Sequence, residues 1–180
     1  MASDHLVEGV KSLKEPTKTN NPYGDDKVMD ACSIFGMMDT SGARFSGKPV
    51  MEAIANMHVR GNGLGGGFAV YGLYPEYADH YAFHIMYLSR AAQAKAEEFL
   101  NQKFRVIHGE PVPTKPVSAI VNPPLVWRYF IEARNEKTDG QSEHDYIVDR
   151  VMEINTKIED TFVFSSGKNM GVFKGVGYPE

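Results

Sequence analysis

A chain of 180 residues, 42% of them hydrophobic, is sized for one domain with a substantial core, or for one domain carrying an insertion. Its net charge of −4 gives no general attraction to nucleic acid or anionic membranes, and no apolar run approaches the roughly 20 residues that cross a bilayer. The single cysteine excludes an internal disulfide and a cysteine-rich zinc site, and with no apolar signal segment at the N-terminus the composition fits the cytoplasm.

Residues 1–31 are read as a leader. They are polar, carry Pro16, Pro22 and Gly24, and show no sustained period. Cys32 follows, and the short apolar run behind it, closing near Gly36, predicts a buried strand with the thiol at its rigid end. A free cysteine is ordinarily buried and inert, and reactivity needs a particular setting. Ser41–Gly47 is a loop. Pro49 suits the first turn of a helix, on which Val50, Ile54, Met57 and His58 share one face.

Gly61, Gly63 and Gly66 satisfy G-x-G-x-x-G, but a helix precedes them and the strand-like run Phe68–Tyr74 follows. That order is the reverse of a dinucleotide site, so these glycines are read as backbone needing positive φ or close approach.

From Tyr81 the elements alternate. A strand covers Tyr81–Leu88, and Ser89 caps a helix whose apolar face is Ala92, Ala96, Phe99 and Leu100. Strands follow at Phe104–His108 and Val126–Ala133, the latter with Trp127, Tyr129 and Ile131 on one face. Ser142, with Asp145 three residues on, opens a helix with Ile147, Val151, Ile154 and Ile158 along one side. A strand at Thr161–Ser165 completes a βαββαβ order, the split ferredoxin-like arrangement. Residues 80–165 are therefore predicted to form a four-stranded antiparallel sheet with both helices on one face. The other face would be free to meet a partner. A last strand is predicted at Gly171–Val176.

His80 and His84 have metal-ligand spacing on a helix. On a strand they stand about 13 Å apart, so no metal site is expected there. Arg128, Glu132 and Arg134 read as a solvated sheet face. The aromatics of these strands read as core, with no nucleic-acid platform expected. Gly167-Lys168 lacks the earlier glycine and the Ser/Thr of a P-loop.

Cys32-Ser33-Ile34-Phe35-Gly36 resembles the Cys-Gly-Ile-Phe-Gly start of class II glutamine amidotransferases, which are N-terminal-nucleophile hydrolases. His58-Val59-Arg60-Gly61-Asn62-Gly63 is similar to the family's His-Arg-Gly segment, with Ser33 in place of glycine and His58 one residue out of register. Arg60–Tyr77 and Ser165–Tyr178 resemble the glutamate-synthase-related, GlxB-type branch, apparently its N-terminal part.

The resemblance implies an α+β fold. Residues 32–79 and 166–180 would supply part of an amidotransferase-like set of layers, and residues 80–165 would be inserted. It implies a glutaminase with no cofactor and no metal. Cys32 would attack the side-chain amide of L-glutamine once residues 1–31 are removed, its own α-amine acting as base. The pKa values of an α-amine and a thiol, about 8 and 8.5, make that proton exchange nearly even. Arg60, Gly61, Asn62 and Gly63 would bind substrate or shape the site. The ammonia would pass to a synthase subunit, and a downstream amidotransferase segment would supply the oxyanion hole and carboxylate clamp, whose motifs do not follow Lys174. The alternative is a non-catalytic interaction or regulatory subunit on the same fold.

Overall fold

The computed structural model describes residues 32–61, 63–116, 118, 120–134 and 140–177. The expected leader and Asn62 lie outside them. Backbone contacts divide the chain into residues 67–175 and the flanking residues 1–66 with 176–180. The expected unit 80–165 lies inside the first of these.

In the flanking unit the strand expected after Cys32 does not form. Cys32–Asp39 has no regular structure, and Ile34 and Met38 are 91% and 82% exposed. A strand needs a neighbour to take its backbone hydrogen bonds, and none pairs with this run among the described residues. Helix α1, Lys48–Ala55, begins as expected with Pro49 in its first turn. It stops before Met57 and His58, which were expected on its face. An eight-residue helix with no buried residue has little packing to extend it, and Met57 (φ −98°, ψ 9°) leaves the helical region. A 3-10 turn, His58–Arg60, follows, and Gly63 has φ +73°, as a positive-φ glycine was expected to.

Among the described residues the other unit carries six strands: β1 Gly66–Tyr71, β2 Tyr81–Tyr87, β3 Phe104–Pro111, β4 Leu125–Ala133, β5 Thr161–Lys168 and β6 Met170–Gly175. Helix α2, Arg90–Lys103, joins β2 to β3, and α3, Glu143–Lys157, joins β4 to β5. The four central strands are antiparallel in the order β3-β4-β2-β5. Both caps form: Ser89 Oγ accepts from the Ala92 amide and Ser142 Oγ from the Asp145 amide, each at 3.1 Å.

Alternation along β2 sorts its side chains. Tyr81, Phe83, Ile85 and Tyr87 face the helices and pack with Ala96 and Leu100 of α2 and with Ile147 and Ile154 of α3. Full burial of each large apolar side chain contributes about 1.5–3 kcal/mol, so this layer dominates the unit's stability.

The opposite face was expected to be free. Its centre is covered: Tyr77, of the turn Pro75–Tyr77, and Tyr74, which precedes that turn, lie on Ala82 and Phe130. Beside them β1 and β6 form a two-stranded sheet, with the Phe68 and Phe173 rings stacked at 5.1 Å. Gly67 permits this pairing, since a Cβ there would run into the Phe173 carbonyl and stand 3.1 Å from the Lys174 Cα.

Candidate functional site

Cys32 is exposed. The thiol is therefore not buried, as a free cysteine ordinarily is. Among the described residues no hydrogen bond joins it to Arg60, whose amide is taken up by the Met57 carbonyl at 2.9 Å within the 3-10 turn. Gly61 closes that turn onto the His58 carbonyl at 2.9 Å. The short turn thus orders Arg60 and Gly61, while Cys32 lies on a run without regular structure.

The densest constellation in unit 67–175 is on the sheet face opposite the helices. Two one-residue bulges build it. One, between His84 and Ile85 in the pairing with β5, sets Ser165 opposite His84. The other, between Val106 and His108, sets His108 opposite Phe130 and Glu110 opposite Arg128. Arg128 ion-pairs with Glu110, and its Nη1 donates to the Tyr74 hydroxyl at 3.2 Å. That hydroxyl lies 2.6 Å from His84 Nε2. An arginine only donates, so Tyr74 accepts from Arg128, and the direction of its contact with His84 follows the imidazole tautomer. The arginine carbon also sits 4.7 Å from the Tyr74 ring centroid. Arg128 was expected on a solvated face, yet its side chain is only 18% exposed. The Tyr74 ring, brought in from a distant turn, covers it, and strand alternation alone gives no sign of that.

Burial, then the nearby Arg128 charge, pushes the His84 pKa down to about 4, with the Ser165 backbone opposing the shift. His84 is thus neutral at pH 7. The Arg128 hydrogen bond holds the Glu110 carboxyl below its usual range. His84 has no exposed surface and Tyr74 is 8% exposed, so no reacting atom reaches either group. The constellation is a clasp that fastens the Tyr74 turn to the sheet. The Tyr77 ring adds to it, lying over Phe130 at 3.9 Å.

His80, the other half of the metal-like spacing, pairs through Nε2 with Glu132 Oε1 at 3.0 Å, apart from His84. Asn169 was also missed as a structural residue. At φ +51° between β5 and β6, its Oδ1 accepts from the Tyr74 amide at 2.7 Å and its carbonyl from the Gly72 amide at 2.8 Å. An Asn between two strand patterns is the available signal, because Asn tolerates left-handed backbone.

No family model matches the chain. It is 54% identical over 159 residues to an uncharacterized protein of Archaeoglobus fulgidus. The match covers 86% of this chain and 42% of the relative, so the chain spans less than half the length of the curated relative it matches. Among the described residues no helix is long and apolar enough to cross a membrane.

Proposed function

We propose that the chain carries the nucleophile-bearing part of a class II glutamine amidotransferase, with Cys32 as the nucleophile of a processed form. The observation that carries this reading is the exposed Cys32 at the head of Cys-Ser-Ile-Phe-Gly. A cysteine that must become an N-terminus and meet substrate cannot be locked inside a core. The ordered Arg60-Gly61 turn, in the segment similar to His-Arg-Gly, is consistent with it.

In this scheme the α-amine of Cys32 takes the thiol proton. The thiolate attacks the amide carbon of glutamine, and the protonated amine returns its proton to the departing ammonia. Water then releases glutamate from the thioester. Residues 80–165 are read as a ferredoxin-like insertion, held within the compact unit 67–175. Gly67 lies against Phe173 and Lys174, so the unit begins and ends at one place, as an inserted unit does. The relative's greater length supports a reading in which further residues, or a second polypeptide, supply the carboxylate clamp and oxyanion donors.

The test is mass spectrometry after exposure to an electrophilic glutamine analogue. A chain trimmed to start at Cys32 should label at Cys32, and the untrimmed chain should not. Equal labelling of both would remove the α-amine from the mechanism. The trimmed chain alone should release little ammonia from glutamine, because one missing oxyanion donor lowers the rate by about 10²–10³.

A further inference from the structure

On the helix-covered side of the sheet, α2 and the edge strand β3 part to leave a cleft of about 200 Å3, lined by Glu97, Leu100, Asn101, Val106, Trp127 and Tyr129. Glu97 is the one acidic or basic side chain in that lining. Its carboxylate is fixed in place: the Tyr129 hydroxyl donates to Oε1 at 2.7 Å, and Gln93 Nε2 donates to the same oxygen at 2.9 Å. Oε2 has no hydrogen bond among the described residues. Asn101 Nδ2 is committed to the Glu97 carbonyl at 2.8 Å, which leaves its Oδ1 as a second acceptor. Trp127 already attracts a cation, the Arg90 guanidinium at 5.5 Å from its ring, and Arg90 is itself tied to Gln93 Oε1 at 2.9 Å. Leu100 and Val106 supply apolar wall. Gly109 keeps the Tyr129 ring in position, since a Cβ there would stand 2.8 Å from that ring.

We propose that this cleft binds a small primary ammonium ligand with a short apolar body. The acceptors at Glu97 and Asn101 take the ammonium protons, and the apolar wall of Leu100, Val106 and Trp127 takes the body. The volume is below the roughly 300–1,000 Å3 of pockets that hold drug-sized molecules, which selects an amine of a few carbons. The site is independent of the glutaminase reading, because none of its residues belongs to the motifs on which that reading rests.

The test is a titration of the full 180-residue chain with n-butylammonium, followed by amide and indole NMR, with n-butanol and butyrate as the neutral and anionic counterparts. Trp127 is the only tryptophan, so its indole signal reports the cleft directly. Saturable shifts are expected at Trp127, Gly109 and Asn101 with n-butylammonium, at concentrations on the order of millimolar. Glu97→Gln keeps an acceptor for Tyr129 and should weaken binding about tenfold or more. Equal binding of butanol, shifts scattered over the surface, or no shift at Trp127 would overturn the proposal. Should Glu97→Gln unfold the chain, the amine-against-alcohol comparison on the unaltered protein decides.

Discussion

His84 illustrates how burial sets the chemistry of a residue. Its pKa is about 4 in the folded protein against about 6.5 unfolded, so the unfolded chain binds a proton first as pH falls. The stability due to neutral His84 is therefore present above pH 6.5 and is lost progressively toward pH 4. The shift corresponds to about 3 kcal/mol. Urea midpoints should fall between pH 7 and pH 4.5, and most of that fall should vanish in His84→Leu, which has no proton to take up. An unchanged slope in the variant would show that His84 is not its source; Glu110, whose carboxyl is held below its usual range, loses its contribution only at more acid pH than this window.

At the scale of an element, the β5–β6 turn shows how one side chain joins two sheets. Asn169 both adopts φ +51° and holds the Tyr74 amide. Asn169→Gly keeps the backbone conformation and loses the Tyr74 bond, for a cost of about 1–3 kcal/mol if that amide is left unpaired. Asn169→Ala adds left-handed strain of about 1–2 kcal/mol. Thermal unfolding should rank wild type above glycine above alanine, and a glycine variant as weak as the alanine one would show that the strain is absorbed elsewhere. Helix caps are simpler. Ser89→Ala and Ser142→Ala should each cost about 1 kcal/mol and add in the double variant, because they cap separate helices.

The elements that were legible in the sequence are those in which local signals agree. Around Ser89 and Ser142 the cap, the helical period and the flanking alternation point the same way, and the strands and helices from Tyr81 to Lys168 follow. The run after Cys32 has strand composition but no partner strand among the described residues, and composition alone does not supply one. The clasp was illegible for a different reason. Tyr74, Glu110 and Arg128 are far apart in sequence, and two bulges shift the parity that alternation would assign to His108 and Ser165. In the amine cleft, the Glu97–Tyr129 bond likewise spans 32 residues, and no local pattern announces it.

For the molecule as a whole, the decisive feature is that residues 67–175 contain their own core. Each buried side chain of the helix-facing layer, from Tyr81 to Val163, lies within those limits, as do both sheets apart from Gly66. The flanking unit, in contrast, has no buried residue in its α-helix and exposes Ile34, Met38, Met51 and Val59. A unit of about 110 residues with a continuous core is within the size range that folds independently. Residues 66–176 expressed alone should therefore give a dispersed amide NMR spectrum and a single cooperative urea transition. Its midpoint should lie close to that measured for the same residues in the whole chain, since the buried contacts are unchanged. The two ends meet where Gly67 approaches Phe173, so joining them through a short Gly-Ser linker should leave the fold intact and raise its stability by restricting the unfolded chain. A collapsed state with helical circular dichroism but no amide dispersion would show that residues 67–175 depend on the flanking segments for their packing, and would weigh against reading residues 80–165 within them as an insertion.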